Sequence, residues 1–111
     1  MIDACALLLR LNAVGGGSQE LDQAISDFFE QPAGAYTESV SLCRSLVARV
    51  LPQWHLHLGY DVSGVLPYAS LSLDQRYHHA EAPTVPLAIL RVLLTALIPA
   101  AGPGRSKPRP V

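Results

Sequence analysis

The spacing of apolar residues changes at Pro52, and this change limits the possible folds more than any other feature. Before Pro52, apolar residues recur at intervals of three and four, the spacing of one face of an α-helix. After it, the segment "QWHLHLGY" at 53–60 alternates apolar and polar residues with a period of two, the pattern of a half-buried β-strand. The sequence therefore predicts helices first and strands afterwards.

Three helices are predicted before Pro52, over residues 2–13, 19–30 and 38–51. The segments "GGGS" at 15–18 and "QPAG" at 31–34 separate them. Ser18 is expected to cap the second helix and Thr37 the third, because side-chain oxygens at these positions can accept from free backbone N–H groups. The expected buried stripe of the third helix is Val40, Cys43, Leu46, Val47 and Val50.

Two or three strands and a last helix are predicted after Pro52. The segment "VLPYASLSL" at 65–73 alternates like the first strand, and "QRYHHAEA" at 75–82 is a candidate third strand of a meander. Residues 85–98 form an apolar helix that is too short to span a membrane and contains Arg91. The predicted fold is α+β, with a small antiparallel sheet, about four helices and the order α-α-α-β-β-(β)-α.

Composition predicts one domain and a separate tail. The chain has 111 residues, of which 50% are hydrophobic, enough for a single core over 1–101. Residues 102–111 are rich in proline and carry net charge +3, so we expect a disordered basic tail, whereas residues 1–101 carry −4. An acidic body argues against direct nucleic-acid binding. Because no signal peptide is evident, we expect a cytoplasmic protein without a membrane anchor.

Three segments together resemble a known family. They are "LLLRLNAVGGGSQELDQAI" at 7–25, "YTESVSLCRSLV" at 36–47 and "AEAPTVPLAILRVLLTAL" at 80–97. In this order they resemble the small phage-derived proteins of the phage ABA sandwich type, common as prophage genes in alphaproteobacteria. The resemblance implies an α/β sandwich and a phage or prophage setting in a bacterial host. It implies no catalytic residues.

The first candidate binding surface is one face of the second helix. This face carries four carboxylates with no basic residue, namely Glu20, Asp22, Asp27 and Glu30. We expect such a surface to dock on a basic groove of a host protein, for example a CRISPR effector or another nuclease. The polar face of the strands, with His55, His57 and Tyr68, is expected to provide a second contact. The favoured interpretation is thus a non-enzymatic inhibitor without a cofactor.

Two other interpretations stay open. His55 and His57 share one strand face, and His78 or His79 on a neighbouring strand could complete a metal site, which would suit a small metal-dependent enzyme. The strongly apolar last helix could instead pair with a second copy, as in a structural homo-oligomeric phage protein. Cys5 and Cys43 are both interpreted as reduced core residues.

Overall fold

The computed structural model describes residues 3–98 and confirms the predicted α+β fold. Within this range, four α-helices and a three-stranded antiparallel sheet occur in the order α-α-α-β-β-β-α. They are α1 (Ala4–Asn12), α2 (Gln19–Phe29), α3 (Val40–Val50), β1 (His55–Tyr60), β2 (Pro67–Leu73), β3 (Arg76–Glu81) and α4 (Val85–Leu97). The tail predicted at 102–111 lies outside the described residues.

The helices begin at side chains that accept from their own first turn. Ser18 caps α2 as predicted, accepting from the backbone N of Leu21 at 3.2 Å. The predicted cap of α3 is wrong, because Ser39 rather than Thr37 accepts from the N of Leu42. A 3-10 turn at Tyr36–Glu38 precedes α3 and places the Thr37 side chain against α2 instead.

The sheet is a meander, and the predicted change of period at Pro52 is confirmed. β1 pairs with β2 from His55–Ser72 to Tyr60–Pro67, and β2 pairs with β3 through a turn of only two residues, 74–75. Asp74 adopts φ 54° in this turn, a conformation that aspartate tolerates better than most residues. Such a short turn fixes the register of β3 against β2.

We call the side of the sheet that packs on the helices the inner face and the opposite side the outer face. At the centre of the inner face, Ala69 and Leu71 are fully buried against α4. The other sides of α4 pack against α1 and α3, so residues Pro86–Leu90 and Val92–Leu94 are all buried. The apolar surface that suggested a homodimer is therefore largely covered within one chain, and the half-buried residues of α4 are Val85, Arg91 and residues 95–97.

Two predicted core residues lie at the surface. Cys5 is exposed, because α1 buries the face that carries Leu7 and Leu11, and Cys5 projects from the other side. Val40 is 36% exposed because it occupies the first turn of α3. Of the rest of the predicted stripe of α3, Cys43, Leu46 and Val47 are buried as predicted, and Val50 is half-buried.

Arg91 holds three elements together at one end of the core. Its guanidinium donates to the carbonyl oxygens of Glu81 at the end of β3 and of Leu11 and Val14 at the end of α1. Partial burial lowers its pKa below the ordinary value. Within residues 3–98, no helix is both long enough and apolar enough to cross a bilayer.

Candidate functional site

The acidic face predicted on α2 is smaller than the sequence indicated. Glu20, Asp27 and Glu30 are exposed, and we call these three residues the acidic surface. Asp27 accepts a hydrogen bond from the side chain of Gln23 one turn earlier. Glu30 ends the helix in a left-handed conformation, with φ 56°.

Asp22, the fourth residue of the predicted acidic face, has a structural role instead. One carboxylate oxygen accepts from both the backbone N and the hydroxyl of Thr37, each at 2.7 Å. The Thr37 hydroxyl also accepts from the backbone N of Ser18. Asp22 thereby ties the start of α2 to the turn before α3, and its half-buried carboxylate is not free for a partner.

The outer face of the sheet presents three rows of side chains across the strands. From one end to the other, the rows are His55–Ser72–Tyr77, His57–Ser70–His79 and Gly59–Tyr68–Glu81. The three histidines and Tyr77 are exposed, which confirms that His55 and His57 face solvent. Ser70, in the middle, is only 5% exposed because larger side chains surround it. Glu81 supplies the one charged side chain of these nine residues.

Tyr68, in the end row, lies between two histidines of the neighbouring strands, His57 on β1 and His79 on β3. Its ring centroid lies 5.0 Å from that of His79 and 6.1 Å from that of His57, at tilts of 32° and 37°. The ring also lies over Gly59, where an added Cβ would approach its Cε2, Cζ and hydroxyl atoms to 2.8 Å. Gly59 therefore leaves the space that lets the tyrosine lie flat between the two imidazoles.

His78 points away from the other three histidines. It lies on the inner face, with its ring 5.7 Å from that of Trp54, and the guanidinium of Arg76 lies 5.1 Å from the same indole. Partial burial, and secondarily the positive charge of Arg76, lower the pKa of His78. The sequence pair His78-His79 is thus divided between two faces.

Of the two histidines that could complete the predicted metal site, only His79 lies on the face of His55 and His57. Within residues 3–98, no three His, Cys, Asp or Glu side chains lie close enough together to hold a metal ion. The described residues therefore give the metal-dependent alternative no ligand set.

Cys43 has the environment of a structural thiol. It is fully buried, and its sulfur lies 3.0 Å from the carbonyl oxygen of Tyr36. Burial, and secondarily the charge of Asp22, raise the pKa of the Cys43 thiol to about 12. The thiolate, which is the reactive form, is strongly disfavoured there.

The sequence pattern did not assign Tyr77, Ser70, Ser72 or Glu81 to a site, and it indicated His79 only as a metal ligand. Alternation alone does not show which residues of β3 lie on the inner face and which on the outer face, because it does not define their pairing with β2. The sequence did contain information on this pairing, because only two residues, "DQ" at 74–75, separate the two strands. A two-residue turn pairs Ser70 with His79 and Ser72 with Tyr77.

No protein-family model matches the chain, and neither a curated protein nor a solved structure shows significant similarity to it.

Proposed function

We propose that the protein is a non-enzymatic binding protein that docks on another protein through the outer face of its sheet. The observation that carries the proposal is the uncovered cluster formed by Tyr68, His57 and His79, extended by His55 and Tyr77. These residues occupy a three-stranded sheet whose central strand is held on the core by the buried Ala69 and Leu71. A contact surface of this kind loses little conformational entropy on binding.

The chemistry of the outer face suits a protein partner. Tyrosine supplies large, amphipathic contact area with few rotatable bonds, and serine and histidine add adaptable hydrogen bonds. Tyrosine is also enriched among the residues that dominate binding energy, and the centres of interfaces are depleted in charge. The outer face is rich in tyrosine and poor in charge, because Glu81, opposite Tyr68 in the end row, is the one charged side chain among its nine residues.

The phage setting and the host target are parts of the same proposal. The resemblance to phage-derived proteins supports a role in a bacterial cytoplasm, with a defence nuclease such as a CRISPR effector as the class of target. The acidic surface of Glu20, Asp27 and Glu30 would then assist approach to a basic partner over a longer range. Mutations there would change association rate and salt dependence more than the lifetime of the complex.

The test is affinity capture from an alphaproteobacterial lysate with three matched baits. These are the wild type, the outer-face variant Tyr68→Ala/Tyr77→Ala, and the acidic-surface variant Glu20→Gln/Asp27→Asn/Glu30→Gln. We expect one host protein to be enriched by the wild type and the acidic-surface variant. The outer-face variant should retain at least roughly tenfold less of it, since the loss of two interface tyrosines commonly costs that much.

Thermal melting of each bait serves as the folding control. If the acidic-surface variant loses the host protein while the outer-face variant keeps it, the contact is α2 and the proposal is wrong. Equal retention by all three baits would exclude both surfaces.

A further inference from the structure

β1 is an edge strand whose backbone is open on one side. At the hairpin end, the backbone N–H of Asp61 donates to the carbonyl oxygen of Leu66. This bond shows which residue pairs of the β1–β2 ladder are hydrogen-bonded and which are not. Because bonded and non-bonded pairs alternate in antiparallel strands, Leu56, Leu58 and Tyr60 direct their N–H and C=O groups away from β2. Within residues 3–98, no other backbone group occupies these positions.

The other edge of the sheet, β3, is protected. It carries charged side chains at both ends, Arg76 and Glu81, and Arg91 already donates to the Glu81 carbonyl. Charged side chains and covering groups are the usual means by which proteins block strand addition at an edge. β1 has no charged residue, no proline and no bulge over its six residues.

A groove lies between α3 and the start of β1. Its walls come from α3 on one side and from β1 and the preceding turn on the other, and the lining residues are Arg44, Val47, Ala48, Leu51, Pro52, Trp54, His55 and Leu56. α4 packs against β2 and β3 and leaves Leu56 and Leu58, on the inner face of β1, half-buried and Tyr60 exposed. The groove therefore combines free backbone groups with apolar side chains.

We propose that this groove binds an extended segment of a partner protein as a fourth strand beside β1. The backbone of the segment would pair with the free groups of Leu56 and Leu58, and every second side chain would enter the groove toward Ala48. Those side chains should be aliphatic. A carboxylate on the segment should meet Arg44, because Arg44 is exposed and no carboxylate lines the groove.

Two other occupants fit this chemistry less well. The chain's own residues 99–111, "PAAGPGRSKPRPV", contain four prolines, which cannot donate to a ladder, and three basic residues that Arg44 would repel. A second copy pairing through β1 would bring "HLHLGY", which has no carboxylate for Arg44.

The experiment is a selection of random linear peptides displayed on phage against the full chain, with Arg44→Glu as counter-selection. We expect enriched peptides to have aliphatic residues at alternate positions, at least one Asp or Glu, and no proline between them. A synthetic peptide of the enriched sequence should bind Arg44→Glu roughly fivefold more weakly than wild type. The matched charge change Arg10→Glu, at an exposed position of α1, should leave the affinity of the peptide unchanged.

Amide hydrogen exchange with the same peptide locates the binding mode. The N–H groups of Leu56 and Leu58 should exchange on the order of tenfold more slowly when the peptide is bound. The N–H of His57 points into the β2 ladder and should change little. Slower exchange at Leu56 and Leu58 would support strand addition.

Four results would overturn the proposal. They are the failure of any peptide to be enriched, enrichment of basic proline-rich sequences like residues 99–111, saturating binding that leaves exchange at Leu56 and Leu58 unchanged, and a dimer in sedimentation that Ala48→Arg dissociates. The last result would assign the groove to a second copy. None of these results bears on the outer face, which the Tyr68→Ala/Tyr77→Ala bait tests separately.

Discussion

The two faces of the sheet share one backbone but have opposite relations to the fold. On the inner face, Ala69 and Leu71 are fully buried under α4, so the core determines their size and polarity. On the outer face, His57, Tyr68 and His79 contact mainly one another, and the core requires none of them. Side chains that the fold does not require are the ones available for binding. The same distinction separates Asp22 from Asp27 on α2.

The largest expected effect is at the centre of the inner face. Leu71→Ala should lower the free energy of unfolding by about 2–5 kcal/mol, because it removes buried methyl groups and leaves a cavity. Ser72→Ala, the next residue on the outer face, should change it by less than about 0.5 kcal/mol. Urea unfolding followed by tryptophan fluorescence measures both. Similar losses for the two variants would show that both faces are covered.

The next largest effect on stability is expected at Asp22, in contrast to Asp27 on the same helix. Asp22→Ala should cost about 1–3 kcal/mol, because the backbone N–H of Thr37 loses its acceptor in a buried position and the Thr37 hydroxyl keeps only the longer bond to the Ser18 carbonyl. Asp22→Asn keeps one acceptor oxygen and should restore part of that loss. Asp27→Ala, on the acidic surface, should be close to neutral. Equal costs for Asp22→Ala and Asp27→Ala, measured by urea unfolding, would mean that Asp22 belongs to the free surface after all.

Substitution of Gly59 should change stability less than substitution of Asp22 does, but it should change the position of the Tyr68 ring on the outer face. Gly59→Ala places a methyl group 2.8 Å from two ring carbons and the hydroxyl oxygen of Tyr68, so the ring must move. The stability change should stay within about 1 kcal/mol, because the ring can rotate toward solvent. The NMR signals of the Tyr68 and His79 ring protons should shift, and host-protein capture should fall. Unchanged ring signals would mean that Tyr68 does not lie over Gly59.

The smallest effect concerns His78 on the inner face. Its folded-state pKa lies below the ordinary 6.5, so the unfolded chain takes up a proton first as the pH falls. The contribution of His78 to stability is therefore complete above about pH 6.5 and is lost as the pH falls toward the folded-state pKa. His78→Gln should reduce the fall in Tm between pH 7 and pH 5. Parallel Tm profiles for the two proteins would contradict this assignment.

The sequence predicted the helices and strands because their apolar spacing reflects which residues the core must bury. The sequence did not predict whether a polar side chain stabilises the fold or stays free at the surface. Asp22 and Asp27 look equivalent in a helical pattern, and only the 3-10 turn that brings Thr37 to Asp22 separates them. The grouping of His79 and Tyr77 with Tyr68 depends on strand register, which periodicity alone does not define. The groove beside β1 depends on the position of α3, which local sequence does not encode.

The most direct test of the account is the solvent accessibility of the four imidazoles, measured by NMR with a soluble gadolinium chelate. In the free protein, the ring protons of His55, His57 and His79 should relax fast and those of His78 slowly. When the captured host protein is added, His57 and His79 should become protected and His78 should not change. If all four rings respond alike in the free protein, the histidines are not divided between two faces; if the partner leaves His57 and His79 fully accessible, the outer face is not the binding surface.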